Sequence, residues 1–184
     1  MNVTLYSDGS SRGNPGPGGY GTILEYIDSK GNLHTREYSE GFKETTNNRM
    51  ELMGVIAGLE ALTKPCRVEV ITDSKYVADA FNQHWVEGWI KKDFRKGKSD
   101  EVKNIDLWLR LLKVMNPHQV SFTWVKGHAG HPQNERCDRL ATAAADEAGD
   151  TCNKRTDYTT FSTKTLGVNF TKLKFCPVFC AISS

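Results

Sequence analysis

The sequence predicts one α/β domain, in which helices flank a mixed sheet of five strands. The chain has 184 residues, of which 38% are hydrophobic and 25% are charged, a composition typical of one domain with a packed core. Its first three β-rich runs are joined by short links, which favours antiparallel strands, whereas each later run is reached across a helical stretch, which favours parallel strands. We therefore expect strands one to three to be antiparallel and strands four and five to run parallel to the first.

The N-terminal strands follow from the alternation of apolar and polar side chains. Residues 2–7 alternate in this way, and Asp8-Gly9-Ser10 is expected to end the strand. Residues 20–28 and 33–42 are β-rich, and the link between them predicts a hairpin. Residues 16–21 match the G-x-G-x-x-G string of dinucleotide sites, but a β-rich run follows them where such a site needs a helix, so a glycine-rich turn is the better interpretation.

The remaining elements alternate between helices and strands. Residues 45–48 offer caps for a helix that continues to about Leu62 with apolar side chains at helical spacing. Residues 67–72 indicate a short strand that ends at Asp73, and residues 120–125 indicate the last strand. Further helices are expected over 74–88, 104–115 and 132–148.

The net charge of +2 hides an uneven distribution. Residues 149–184 carry five Lys or Arg against two Asp, and residues 91–98 have the sequence KKDFRKGK. Most charge runs are solvated loops, but Trp85, Trp89 and Phe94 lie in or beside this one, and that mixture suits a nucleic-acid backbone. The run is therefore a candidate nucleic-acid contact.

Four acidic side chains are candidates for a metal site. Asp8 and Asp73 are each expected at the C-terminal end of a strand, where sites assemble in α/β sheets. Glu51 is expected in the first turn of a helix, and Asp138 near the apolar face of another. One such carboxylate is most often a cap or a surface residue, but four in one small domain repel one another and need cations. Oxygen donors without a thiolate or imidazole cluster favour Mg²⁺ or Mn²⁺.

A zinc site at His128, His131 and Cys137 is a weaker alternative. The sequence has no second cysteine pair and no H-E-x-x-H motif beside these residues. A loop histidine with another role is therefore favoured.

With these motifs in place, the chain resembles the bacterial type 1 ribonucleases H. The matching stretches, in the family's order, are YSDGSSRGNPGPGGYG, TTNNRMELMGVIAGLEAL, VITDSKYV, VKNIDLWLRL and WVKGHAGHPQNERCDRLA. They lie within residues 1–148, which the resemblance identifies as a catalytic domain, and residues 149–184 are left as a C-terminal extension. The resemblance implies a ribonuclease H-like sheet with the first strand at its centre. It also implies endonucleolytic hydrolysis of the RNA strand of RNA–DNA hybrids, which leaves 5′-phosphate and 3′-hydroxyl ends.

The resemblance also implies roles for individual residues. Asp8, Glu51, Asp73 and Asp138 would bind two Mg²⁺ ions, or Mn²⁺, when substrate is present, and His128 would assist proton transfer and product departure. Two such ions about 3.5–4 Å apart can activate a water on one side of a phosphate and stabilise the leaving oxygen on the other. The residues that would contact the hybrid are Ser11, Asn14, Thr46, Asn47, Asn48, Lys75, Trp85, Trp89, Lys91, Lys92, Phe94, Arg95 and Asn104.

Two parts of this contact surface have separate tasks in the family. Thr46, Asn104 and Lys91 would grip a phosphate of the DNA strand. Residues 85–98 match a basic protrusion, here called the handle, in which Ile90 replaces a cation and Phe94 replaces a tryptophan.

The rival hypothesis is a non-catalytic hybrid-binding module on the same fold. Loss of one or more of the four carboxylates would mark such a module, and all four are present. We further expect a cytoplasmic monomer that needs no protein partner. No stretch approaches about 18 consecutive apolar residues, and the N-terminus has no basic, apolar signal segment.

Three interpretations of residues 149–184 stay open: a disordered basic tail, a strand-forming segment packed on the core, and a cap closed by a disulfide. Five aromatic side chains favour partial docking over a solvated linker. Cys152, Cys176 and Cys180 leave one thiol unpaired in any pairing within this segment, and a cytosolic compartment disfavours disulfides.

Overall fold

A five-stranded mixed sheet forms the centre of the protein. The computed structural model describes residues 1–95, 100–127 and 129–150. Its strands are β1 (Asn2–Ser11), β2 (Gly16–Ile27), β3 (Leu33–Thr45), β4 (Arg67–Thr72) and β5 (Gln119–Trp124), in the spatial order β3-β2-β1-β4-β5. β1 to β3 pair antiparallel, β4 pairs parallel with β1, and β5 pairs parallel with β4. The predicted fold class and strand directions are confirmed.

Helices cover both faces of this sheet. In the described ranges they are α1 (Asn47–Glu60), α2 (Lys75–Asn82), α3 (Trp85–Lys91), α4 (Ile105–Met115) and α5 (Pro132–Asp150). α1 packs on β1, β2 and α4, whereas α5 packs on β2, β3 and β1. None of these helices combines the length and the apolar character that a membrane crossing requires.

The core lies mainly between α1 and the sheet. Leu5 of β1 and Val68 and Val70 of β4 are fully buried, as are Leu52 and Ile56 of α1. Burial of each such side chain stabilises the fold by about 1.5–3 kcal/mol. This rigid layer fixes β1 and α1 relative to each other.

The structure corrects two predicted boundaries. β1 does not end at Asp8, because its pairing with β2 continues to Ser11 opposite Gly18. The single helix expected over 74–88 is two helices, α2 and α3, because His84 between them has φ 59°, which interrupts a right-handed helix.

Residues 16–21 lie in β2, and no helix follows them directly. The interpretation of this run as a turn that leads into a strand is confirmed. Its glycines have a packing role, because a Cβ on Gly21 would lie 2.2 Å from the backbone oxygen of Cys137 in α5. Any larger residue there would push α5 away from the sheet.

Candidate active site

The parallel part of the sheet ends where two of the four carboxylates lie. β1 and β4 pair in parallel as far as Ser7 and Thr72, so Asp8 and Asp73 are the next residues on neighbouring strands. Asp73 follows the last residue of β4, as predicted, whereas Asp8 lies inside β1 and pairs with Gly21 of β2. The strand-end prediction is thus correct for Asp73 and wrong for Asp8.

Two glycines bring the other two carboxylates to this edge. A Cβ on Gly9 would lie 2.3 Å from the backbone nitrogen of Glu51, so only glycine lets α1 approach β1 this closely. Gly21, the partner of Asp8, does the same for α5 at Cys137, and Asp138 is the next residue. Glu51 is the fifth residue of α1 rather than part of its first turn.

The four side chains, here called the carboxylate cluster (Asp8, Glu51, Asp73 and Asp138), influence one another electrostatically. Burial raises the pKa of Asp8 to about 7, and the charges of Asp73, Asp138 and Glu51 contribute to the rise. Burial also raises the pKa of Glu51 to about 7, with a smaller contribution from Asp73. The cluster therefore holds protons at neutral pH that ordinary carboxylates release.

Hydrogen bonds orient the carboxylates of Glu51 and Asp8. Glu51 accepts from the Asn47 amide at 2.8 Å and from the Ser74 hydroxyl, which also caps α2. Asp8 accepts from the backbone N–H of Gly9 at 2.7 Å. Both side chains are held in place before any ligand arrives.

Asp73 is held by residues at the end of β5, at the start of α5 and in the loop between them. The indole N–H of Trp124 donates to the main-chain oxygen of Asp73 at 3.0 Å, and the Asn134 side-chain amide donates to Oδ2 of Asp73 at 3.3 Å. A Cβ on Gly127 would lie 2.6 Å from that Oδ2, so the loop passes close to the carboxylate. The ammonium group of Lys75 lies over the Trp124 ring, 4.9 Å from its centroid.

The cluster fits a hydrated divalent cation better than a closed metal cage. Across residues 1–95, 100–127 and 129–150, no three His, Cys, Asp or Glu side chains converge closely enough to hold an ion as they stand. Mg²⁺ is usually bound through one or two carboxylates, several waters and substrate phosphates. Oxygen donors that repel one another match this mode of binding, because a cation would offset both the burial and the neighbouring negative charges that raise the pKa of Asp8.

A second group of polar residues lies between the N-termini of α1 and α4. Arg49 pairs with Asp106 through two hydrogen bonds of 3.0 and 2.6 Å, and it also donates to the Asn104 side-chain oxygen at 3.4 Å. Thr46 caps α1 by accepting from the Arg49 backbone N–H. The structure therefore brings together Thr46 and Asn104, which the sequence places 58 positions apart.

Asn104 has the left-handed backbone conformation, with φ 59°. Asparagine is one of the few residues that adopt this conformation at low cost. Its amide donates to the Tyr76 hydroxyl at 3.1 Å, and the Trp108 indole N–H donates to the same oxygen at 3.1 Å. Both polar atoms of the Asn104 side chain are therefore hydrogen-bonded, the oxygen to Arg49 and the nitrogen to Tyr76.

The handle is anchored by aromatic residues and presents cations to solvent. Trp89 packs edge-on against Trp108, with 5.2 Å between the ring centroids, while Trp85 is 39% exposed. Lys91, Lys92 and Arg95 are exposed.

The position of Phe94 differs from the prediction that it contacts the hybrid. Its side chain is fully buried and packs against Trp89 at 6.5 Å, so it cannot touch a bound hybrid in this conformation. Positive φ angles at Asp93 and Phe94 turn the chain so that the ring enters the core. Phe94 is an anchor of the handle rather than a contact residue.

The other predicted contact residues differ in their exposure to solvent. Asn14 and Asn48 are exposed, and Ser11 is half-buried at the end of β1. His128, residues 96–99 of the handle and residues 151–184 lie outside the described residues, so the predictions for them stay predictions.

Sequence reasoning missed the residues that orient the carboxylate cluster and those that hold the polar group around Thr46 and Asn104. Ser74, Asn134, Trp124, Arg49 and Asp106 bind other side chains or the backbone and carry no motif of their own. Position offered a signal for one of them: Ser74 follows Asp73 directly at the start of a predicted helix, where serine is a common cap. The partners of the others are distant in sequence, so only the fold could reveal them.

Sequence comparison places the cluster inside a known family. A family model described as RNase H matches residues 1–146, which include all four carboxylates. Ribonuclease H of Lachnoclostridium phytofermentans is 68% identical over 147 residues, covering 79% of this chain and 93% of that protein. Ribonuclease H of a Sulfurovum species is 58% identical over 144 residues, covering 78% and 90%.

Solved structures are similar over the same region. LC9-RNase H1, described as a type 1 RNase H with the type 2 active-site motif, is 34% identical with a TM-score of 0.72, covering 80% of this chain and 73% of that one. LC11-RNase H1, solved in complex with an RNA/DNA hybrid, is 27% identical with a TM-score of 0.56, covering 79% and 98%.

Proposed function

This chain belongs to the ribonuclease H family, and from that membership we propose that the carboxylate cluster is its two-metal catalytic centre. The protein is an endoribonuclease that hydrolyses the RNA strand of RNA–DNA hybrids. The family depends on divalent metal ions. One observation carries the proposal: Asp8 is buried and lies beside three other carboxylates, and its burial together with their charges raises its pKa to about 7.

Each carboxylate has a task in this proposal. Asp8 would be shared between two bound cations, Asp138 would help to hold the cation on the side of the attacking water, and Glu51 and Asp73 would help to hold the cation nearer the leaving oxygen. When bound, two Mg²⁺ or Mn²⁺ ions would supply activation of that water and stabilisation of the charge on the leaving 3′-oxygen. The products carry 5′-phosphate and 3′-hydroxyl ends.

Hybrid selection requires that the two strands be distinguished by the 2′-hydroxyl, which only RNA carries. Glu51 and the backbone amides near Gly9 and Ser11 are assigned to the RNA strand. The close approach of α1 to Gly9 supports this assignment, because the Glu51 backbone lies directly beside that residue of β1. Thr46 and Asn104 are assigned to a phosphate of the DNA strand.

The pocket proposed for the DNA strand, formed by Thr46, Arg49 and Asn104, is supported by its rigidity. Arg49 lies between Thr46 and Asn104, is 8% exposed, and is held by Asp106. Lys91 of the handle adds a cation that is exposed to solvent. A rigid pocket of donors suits a phosphate held in one orientation.

The remaining assignments rest on the sequence. His128 is assigned proton transfer and product departure, and in the sequence it follows Gly127, which lies against the Asp73 carboxylate. One chain supplies all four carboxylates, which supports action as a monomer.

The decisive experiment compares three labelled duplexes: an RNA–DNA hybrid, double-stranded RNA and double-stranded DNA. Each is incubated with Mg²⁺, Mn²⁺ or EDTA. We expect cleavage of the RNA strand of the hybrid alone, with either metal and not with EDTA. Binding of the hybrid without cleavage in any metal would contradict the proposal and favour the non-catalytic module.

Two variants test the assignments within the site. Asp8→Asn should abolish hydrolysis and leave hybrid binding intact, and residual cleavage at about a tenth of the wild-type rate would contradict a bridging role. His128→Ala should be milder, since the cations still activate water. Asp146→Asn is the matched control, because Asp146 is exposed, is not one of the four carboxylates and pairs with Arg12.

A further inference from the structure

Among the described residues, Asn134 is the most deeply buried polar side chain that touches the carboxylate cluster without belonging to it. It lies in the first turn of α5 and is 3% exposed. Its amide nitrogen donates to Oδ2 of Asp73 at 3.3 Å. It precedes Asp138 by four positions, so both residues lie on the same face of α5.

The amide oxygen of Asn134 has an unusual environment. This oxygen is buried and accepts no hydrogen bond from any residue that the structure describes. A buried polar atom without a partner is unfavourable, and such atoms are rare in folded proteins. The side chain is therefore poorly explained as a packing residue, because a leucine of similar size would fill the same space without that cost.

The orientation of the amide is explained by Asp73. With the amide flipped, its oxygen would face the Asp73 carboxylate and repel it, so the observed orientation keeps the donor toward Asp73. Trp124 fixes the main chain of Asp73, and Gly127 lies against its carboxylate, but neither donates a hydrogen bond to the carboxylate oxygens. Among the described residues, Asn134 is the side chain that donates to that carboxylate.

We propose that Asn134 is a positioning residue: it holds the Asp73 carboxylate in the orientation that binds a divalent cation, and its buried oxygen receives a donor that enters with the hydrated ion or the hybrid. This inference rests on the proposed function, because it gives Asp73 the role of a metal ligand. It adds a residue outside the four carboxylates to the machinery.

The test is Asn134→Leu, which keeps the side-chain size and removes both the donor and the unpaired oxygen. Mn²⁺ binding to the free protein is measured by calorimetry, and kcat, KM for the hybrid and the Tm in EDTA are measured in parallel. We expect Mn²⁺ affinity to fall about fivefold and kcat about tenfold, with KM within about twofold, because the hybrid contacts lie elsewhere. The Tm in EDTA should not fall, because a buried unpaired oxygen is removed.

A purely structural role predicts the reverse pattern. In that case the Tm falls while Mn²⁺ affinity and kcat stay within about twofold of wild type, and this outcome overturns the inference. Gln133→Leu is the matched control, since Gln133 is the preceding residue of α5 and its amide contacts Glu25 rather than the cluster. We expect the control to keep wild-type Mn²⁺ affinity and kcat.

A second variant covers the case in which leucine does not fit. Asn134→Ala removes the same two groups and leaves a cavity, so it should lower the Tm and still weaken Mn²⁺ binding about fivefold. Unchanged Mn²⁺ affinity in this variant also overturns the inference. Failure of the proposed function is recognised separately, because wild-type protein would then cleave no hybrid in any metal.

Discussion

Neutralising Asp8 should make the metal-free protein more stable as well as inactive. Burial and the neighbouring carboxylates raise the pKa of Asp8 from 3.8 to about 7. At roughly 1.4 kcal/mol for each tenfold change in proton affinity, its ionisation costs the folded chain about 4 kcal/mol more than the unfolded chain. Asp8→Asn removes this cost and keeps the oxygen that accepts from the Gly9 N–H. We expect a gain in unfolding free energy of about 2–4 kcal/mol at pH 8, since part of the site is open to water.

The pH dependence of this gain has a definite sign. A carboxyl group whose pKa is raised on folding binds its proton more tightly in the folded chain, so its ionisation lowers stability as the pH rises from 3.8 to about 7. Below that window Asp8 is neutral in both states, and the variant should have no advantage. Above it the full difference should remain constant.

Urea unfolding followed by circular dichroism in EDTA, at about pH 4.5, 6 and 8, measures this directly. Adding Mg²⁺ at pH 8 should reduce the difference between wild type and variant, because the cations bind the wild-type carboxylates. Asp146→Asn is a control of opposite sign, because Arg12 lowers the pKa of Asp146 and the ionised form is therefore the stabilising one. Equal stability of wild type and Asp8→Asn at pH 8, or a gain that is already complete at pH 4.5, would refute the reasoning.

Three further changes test other parts of the molecule. Alanine at the handle cations should raise KM far more than it lowers kcat. The slope of log binding constant against log salt concentration should become shallower by about one for each lost phosphate contact. An unchanged slope would show that these residues form only a solvated loop. The residues to change are Lys91, Lys92, Arg95, Lys96 and Lys98. Asp106→Asn leaves Arg49 without its buried ionic partner and should lower the unfolding free energy by about 3 kcal/mol and raise KM, whereas an unchanged urea midpoint would contradict that account. Truncation after Gly149 should keep kcat within about threefold, because all four carboxylates precede it, and should lower the Tm; a folded but inactive truncation would make the extension part of the enzyme.

Much of the sheet was predictable because its signals are local. Alternation and short links were sufficient for the antiparallel part, and the predicted strand 67–72 matches β4 residue for residue. The break between α2 and α3 was not predictable in this way, because the apolar spacing continues across His84 and only its positive φ separates the helices. The extension of β1 to Ser11 depends on pairing with Gly18, which is a contact between strands.

In the candidate site, too, local signals were predictable and contacts between distant residues were not. The carboxylates belong to recognisable motifs, so the sequence alone identifies them. Asn134 and Arg49 act through partners 61 and 57 positions away. Phe94 shows the opposite error. Its place in a basic run favoured a surface role, but an aromatic ring next to Trp89, which itself packs against Trp108, gains more from burial than from exposure.

The carboxylate cluster and the core beneath it are linked by free energy. Ionising Asp8 in the folded chain costs about 4 kcal/mol, and Glu51, with a pKa raised from 4.5 to about 7, adds an overlapping cost. A domain of this size is stable by only about 5–15 kcal/mol, so the cost of ionising these buried, neighbouring carboxyl groups is a large fraction of the whole. The buried contacts between α1 and β1 must therefore hold the carboxylates in place against that cost. Cation binding then recovers part of the cost, which couples the stability of this fold to the same ions that its chemistry requires.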